Sequence, residues 1–333
     1  MSRWIALMVL PIILLAMACE GAEGPAGPAG EGVPTPESLV ASGAALDVHT
    51  HLMSPELAAG FGVPADVPPA NADDLISLLD EANVQQAVVL SLAYNNELPD
   101  GAAMSAENDY TAAEVAKYPE RLIAFCGIHP LRDSAVDEID RCVDELSMSG
   151  LKLHMGGSGI DLRLTEHADA VSAVLDKASE RGLPVLMHLA DPNGLPIGSD
   201  GLFSMAVLIV THPNLRLAFA HCASGSGFDL NTLSNLLAGF ESSPQELSPD
   251  NLWLDTSACL KFYKNAPLST KEEIVWQLRK WGLERVLFGS DYLLVAPQET
   301  PAVALETIAS FPFTQEELDI ILNNDGSAWL EGD

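Results

Sequence analysis

Positive charge is scarce in this 333-residue chain: 16 lysines and arginines stand against 47 aspartates and glutamates, a formal net charge of −31. So acidic a protein argues against nucleic acid or an anionic membrane surface as a partner, since both are bound through basic patches. It suits work outside the cell, where salt screens the self-repulsion. Cysteine is sparse too. Besides Cys19 there are Cys126, Cys142, Cys222 and Cys259, too few and too scattered to read as a disulfide framework, and no CxxC pair offers thiolates to a metal. Neither GxGxxG nor a P-loop follows any apolar run, which weakens the case for a nucleotide-binding open sheet.

What is present begins at the N-terminus. After Met1, Ser2 and the single basic Arg3, residues 4–18 form an uncharged apolar run. It has the length of a signal-peptide core and falls short of the about 20 residues a spanning helix needs. The run closes in Leu15-Ala16-Met17-Ala18-Cys19, which resembles a bacterial lipoprotein cleavage site, with Ala16 where leucine is usual. The resemblance implies a signal peptide over residues 1–19, lipidation of Cys19, and an exported envelope lipoprotein tethered to a membrane by its acyl chains. An ordinary secreted protein with a chance cysteine is the alternative. Gly21, Gly24, Gly27 and Gly30 then recur every third residue, with Pro25 and Pro28 between them. Residues 20–43 therefore read as an extended flexible linker.

From Ala44 onward, short apolar runs alternate with longer amphipathic stretches, the rhythm of βαβ units. Eight runs fall at residues 45–49, 86–92, 122–128, 151–154, 184–188, 215–221, 252–256 and 285–289. Helical stretches between them include 72–81, 106–117, 135–147, 166–181, 271–281 and 300–310. The pattern predicts an α/β fold in which residues 44–333 close into one TIM-type (β/α)8 barrel.

Such a barrel builds its active site at the C-terminal ends of its strands, and polar residues gather there. The first run ends Asp47-Val48-His49-Thr50-His51, and strand alternation puts His49 and His51 on one face. The fifth ends in His188, the sixth in His221, and Asp291 follows the eighth. Singly, a strand-end histidine is most simply a structural residue. Jointly, four of the chain's eight histidines occupy one catalytic layer, and histidine nitrogen with a carboxylate oxygen suits zinc or a similar first-row ion.

His49-Thr50-His51, Gly150-Leu151-Lys152-Leu153-His154, the two later histidines and Gly289-Ser290-Asp291 resemble the amidohydrolase superfamily. So do Ala116-Lys117-Tyr118-Pro119-Glu120-Arg121, His212-Pro213-Asn214-Leu215-Arg216 and Ile321-Leu322-Asn323-Asn324. The branch they resemble is the one that includes aminocarboxymuconate semialdehyde decarboxylase, and the likeness runs over residues 44–330. It implies one divalent ion, zinc by preference, held by His49, His51, His188 and Asp291. His221 would orient water or stabilise developing charge, and Asp291 would accept the proton. In two-metal members a strand-four lysine is carbamylated and bridges the ions. Lys152, with His154 on the same face, keeps that arrangement open beside a role in contacting substrate.

The implied reaction is hydrolysis of an ester, lactone or amide-like bond of a small molecule. Metal-dependent non-oxidative decarboxylation is the alternative within the branch, and a non-catalytic ligand-binding lipoprotein using the barrel as a scaffold is the alternative of another class. Arg132, Arg163, Lys261 and Lys264 fall in loops after strands three, four and seven and favour an anionic substrate. Asn95, Asn96, Glu97 and His129 are further lining candidates, whereas His167 and His212 read as structural. Tyr292-Leu293-Leu294-Val295 follows Asp291 where the branch often has a proline, so the last loop is expected to shape a different pocket.

Overall fold

A computed structural model describes residues 42–63, 70–195, 197–223, 230–242, 250–292 and 299–332. The signal peptide, Cys19, the linker up to residue 41, and Leu293, Leu294 and Val295 lie outside the described residues. Eight parallel strands pair in chain order: β1 (Ala44–Thr50), β2 (Val84–Leu90), β3 (Leu122–Gly127), β4 (Gly150–His154), β5 (Val185–His188), β6 (Leu217–Phe219), β7 (Leu252–Asp255) and β8 (Val286–Leu287). The two ends of this sheet meet. The Val48 N–H donates to the Phe288 carbonyl at 2.9 Å, the Asp291 N–H to His49 at 2.8 Å, and the His51 N–H to Tyr292 at 3.2 Å. The (β/α)8 barrel expected from the alternation is therefore what forms.

Local signals set the helix bounds. Helix Ala72–Glu81 starts where the Asn71 side chain accepts the Asp74 N–H, and helix Thr165–Arg181 stops at Gly182, whose φ of 63° is left-handed. Helix Gly101–Val115 begins before the expected residue 106, because Asp100 accepts the Ala103 N–H and nucleates a turn that apolar periodicity does not register. Inside the barrel Leu46, Val48, Val88, Leu90, Phe125, Leu186, Ala218, Trp253 and Leu287 pack together, joined by Trp329 near the C-terminus. Trp329 and Phe125 sit 5.3 Å apart, ring to ring. A second, larger core lies between the strands and the helices.

Two expectations need correction. The sixth and eighth runs are far shorter as strands than their apolar sequences: 217–219 rather than 215–221, and 286–287 rather than 285–289. The chain turns early there because His221, Cys222, Ala223 and Asp291 adopt left-handed φ angles of 54°, 54°, 60° and 61°. The four cysteines after Cys19, too scattered in sequence to read as a framework, are paired as Cys126–Cys142 and Cys222–Cys259. Packing explains this: helix Ala135–Asp144 sets Cys142 against β3, and the neighbouring segments after β6 and β7 bring Cys222 and Cys259 together.

Gly127 closes β3 against the backbone of the loop that follows β2. A Cβ there would lie 2.6 Å from the Ser91 carbonyl oxygen and 2.8 Å from the Ala93 nitrogen. Gly127→Ala should therefore cost about 1–3 kcal/mol of stability, read from a urea midpoint. Gly60→Ala, which points into open space, should stay within about 0.5 kcal/mol of wild type.

Candidate metal centre

The site starts from a break in β1. The register with β2 shifts between Asp47 and Thr50, a bulge of the kind that re-aims side chains. Leu46 and Val48 belong to the inner core, yet His49 and His51, of the opposite parity, also reach the interior. Asp47 fixes the bulge. Its Oδ1 accepts the His49 N–H at 3.1 Å and the Ser290 N–H at 3.0 Å, tying β1 to the segment carrying Asp291. Burial pushes the Asp47 carboxyl up to about 7.

Each inward-facing histidine is oriented by what its outer nitrogen touches. His51 donates Nδ1–H to the Leu90 carbonyl at 2.8 Å, and His49 donates Nδ1–H to Asp255 Oδ2 at 2.8 Å. His221 donates Nδ1–H to the Ser257 carbonyl at 2.9 Å. Partners of this kind fix the tautomer, so in all three rings Nε2 carries a lone pair and faces inward. Burial, with Lys152 adding to it, holds His49 well below the usual histidine range, and burial lowers His51 likewise. Asp255 is the hub of the arrangement: besides His49, its Oδ1 accepts the N–H of His221 at 2.9 Å, the N–H of Ser257 at 2.9 Å and the Ser257 hydroxyl.

Asp291 completes the inner set. Its Oδ1 lies 3.4 Å from His49 Nε2 and 3.5 Å from His51 Nε2, and those two nitrogens are 3.2 Å apart. His188 stands one step away, its Nδ1 3.1 Å from His221 Nε2. Because that His221 nitrogen is a lone pair, His188 donates Nδ1–H and its own Nε2 lone pair is left buried without a hydrogen-bond partner. His49 Nε2, His51 Nε2 and Asp291 Oδ1 all present lone pairs to one another, a clustering that a cation among them would relieve. Donors about 2.1 Å from a tetrahedral ion are separated by about 3.4 Å, which matches the spacing of the inner three. The residues present fit a divalent metal ion.

Lys152 lies on the same floor, fully buried, with Nζ 3.2 Å from His49 Nε2. Burial lowers its ammonium to about 8. His154 is at the end of β4, its ring stacked on His188 with centroids 3.9 Å apart. The loop cations fare differently from expectation. Arg163 is exposed and paired with Asp161 at 2.7 Å, Lys261 pairs with the buried Glu299 at 3.2 Å, and Lys264 with Glu306 at 3.7 Å. Their charges are matched within their own surroundings, so they do not form a basic cluster around the histidines. Arg132 donates to the Leu98 carbonyl at 3.1 Å beside His129, which meets Asn96 at 2.8 Å. His167 accepts the Asp161 N–H and His212 contacts the Leu208 carbonyl, both structural as expected.

Sequence reasoning passed over three residues here. Asp255 was legible, as an acid ending the apolar run Leu252-Trp253-Leu254. Ser257 and the buried Tyr94, whose ring lies 5.0 Å from that of His154, carry no signal of their own. The Cys222–Cys259 pair brackets this region, one cysteine following His221 and the other following Ser257 by two residues.

Comparison with known proteins gives the same picture. The amidohydrolase family model matches residues 46–324. A curated relative, the 2-amino-3-carboxymuconate-6-semialdehyde decarboxylase of Dictyostelium discoideum, is 24% identical over 231 residues, 63% of this chain and 62% of the relative's length. Among solved structures, 2,6-dihydroxybenzoate decarboxylase complexed with 2,6-dihydroxybenzoate superposes with a TM-score of 0.58 at 18% identity, covering 87% of this chain and 98% of that one. A dihydroxybenzoic acid decarboxylase from Polaromonas sp. JS666, with bound manganese and the inhibitor 2-nitroresorcinol, gives 0.58 at 15% identity, covering 87% and 97%. At these identities the structural likenesses establish the barrel fold.

Two outcomes are expected. Asp255→Asn keeps the size of the side chain but removes the charge facing His49, and should weaken divalent-ion affinity about 10–100-fold in chelator competition. Replacing Cys222 and Cys259 together by serine should cost about 3–4 kcal/mol of stability, the loop-closure effect of a 37-residue separation.

Proposed function

The chain belongs to the amidohydrolase family, and from that premise we propose that it is a divalent-metal-dependent enzyme that removes carbon dioxide, without oxidation, from a small carboxylated substrate. The observation that carries this reading is the sequence likeness to a decarboxylase of the same family. The buried Lys152 amine supports it, because His49 is its one hydrogen-bond partner among the described residues and a substrate carboxylate would complete its shell. Hydrolysis of an ester, lactone or amide-like bond, the first expectation from the sequence, would use the same floor but has no comparable support.

In this reading His49, His51, His188 and Asp291 hold the ion, and zinc and manganese both suit three imidazoles and one carboxylate. When bound, the ion supplies Lewis acidity and holds the substrate's oxygens. The net change consumes one proton: the bond between carbon and carboxylate breaks, its electron pair stays on the carbon, and a proton joins that carbon as carbon dioxide leaves. Asp291, whose carboxylate lies within 3.5 Å of both His49 and His51 on the barrel floor, would relay the proton to the carbon. His221, its tautomer fixed by Ser257, steadies the developing charge beside it. Lys152 balances the charge of the incoming carboxylate. The resemblance of residues 15–19 to a lipoprotein cleavage site supports export to the cell envelope, with Cys19 as the anchor. The two cystine pairs support export, since disulfides persist in oxidising compartments.

The test is carbon dioxide release from a panel of carboxylated phenols, including 2,6-dihydroxybenzoate, and carboxymuconate-type acids. A chelator should abolish turnover and zinc or manganese restore it, and His221→Ala and Asp291→Ala should each lower kcat at least about 100-fold. Ion-loaded protein that cleaves esters or lactones but releases no carbon dioxide would overturn decarboxylation in favour of hydrolysis.

A further inference from the structure

One ring in the centre is oriented the other way. His49, His51 and His221 point Nε2 lone pairs inward because their Nδ1–H groups are bound behind them. In His154 the backbone N–H of Gly157 donates to Nδ1 at 2.9 Å. The neutral ring must therefore carry its proton on Nε2, as a donor. Turning the ring over would set a C–H against the Gly157 N–H and lose that bond.

The surroundings hold this ring still. It stacks on His188 at 3.9 Å and packs against Tyr94 at 5.0 Å. Glycine at 157 leaves this packing uncrowded, because a Cβ there would lie 3.0 Å from Tyr94 Cε2 and 3.2 Å from His154 Nδ1. Tyr94, His188, His49, His51 and His221 are all more than nine-tenths buried, whereas His154 is partly open. Its Nε2 has no hydrogen-bond partner among the described residues and is not sealed from solvent, so this N–H is available to a ligand.

We propose that the His154 Nε2–H is the donor that captures a second anionic oxygen of the substrate, one not belonging to the carboxylate that leaves, with the Tyr94 and His188 rings as rigid walls. His154 is then a specificity-determining residue: it selects acids that carry an adjacent phenolate, carboxylate or enolate oxygen. The same geometry argues against His154 as a ligand to a second ion, since ligation through Nε2 would demand a proton on Nδ1, where the Gly157 N–H already donates. This inference rests on the decarboxylase reading for its substrate class.

The experiment compares wild type, His154→Gln and His154→Ala, each loaded with the same ion, in calorimetric titrations with 2,6-dihydroxybenzoate and 2-nitroresorcinol. Ion content is measured alongside, and ¹⁵N-histidine spectra record the tautomer. Glutamine keeps an N–H near the position of Nε2, so it should bind within about threefold of wild type, and alanine at least about tenfold more weakly. Ion content should be equal in all three, and His154 should show the Nε2–H tautomer. Unchanged binding in His154→Ala, an ion lost from both variants, or an Nδ1–H tautomer would each overturn the proposal while leaving the decarboxylase reading intact. A wild type that binds neither probe and decarboxylates nothing overturns that reading and, with it, the substrate class assigned to His154.

Discussion

The Asp255 carboxylate is the contact on which the site depends. One of its oxygens takes the Nδ1–H of His49 from β1, and the other takes the backbone of His221 and Ser257 from the loops after β6 and β7. A single buried group thus sets the tautomer of one histidine and the backbone position of another. Without it, the Nε2 lone pair of His49 would not be aimed inward and the left-handed turn at His221 would lose its anchor. Asp47 does the corresponding work on the other side, holding the β1 bulge to Ser290 so that Asp291 arrives opposite His49 and His51.

The arrangement costs stability, and the fold absorbs that cost locally. Five non-glycine residues at or beside the site, His221, Cys222, Ala223, Ala258 and Asp291, hold left-handed φ angles, each unfavourable by roughly 1–2 kcal/mol. Converging lone pairs on His49, His51 and Asp291 are unfavourable as well. Strain gathered in this way persists where surrounding structure over-determines it. Here that structure is a barrel closed by hydrogen bonds between β1 and the segment after β8, and a cystine joining the two loops that position His221. Stability is given up at the place where a cation would restore it.

Charge is partitioned in the same economical way. The exposed and half-exposed cations mostly have acidic partners nearby: Arg163 with Asp161, Lys261 with Glu299, Arg141 with Glu138 and Asp109. Lys152 is the exception, buried among histidines. Unmatched positive charge therefore lies on the barrel floor, in Lys152, while the cations of the rim loops are matched by acids.

Sequence alone determined the barrel, because strand and helix periodicities are local and eight alternations leave few ways to close a sheet. Strand-end position is likewise a property of the chain, and His49, His51, Lys152, His154, His188, His221 and Asp291 lie near one another in the structure. Asp255 was within reach of the sequence. What only the tertiary structure decided was the direction of each ring, since a histidine's tautomer is set by a partner from elsewhere in the chain: Asp255 for His49, Leu90 for His51, Ser257 for His221, Gly157 for His154. The same holds for the cystine pairs and for the early turns after β6 and β8, which arise from contacts between strands that no local pattern encodes.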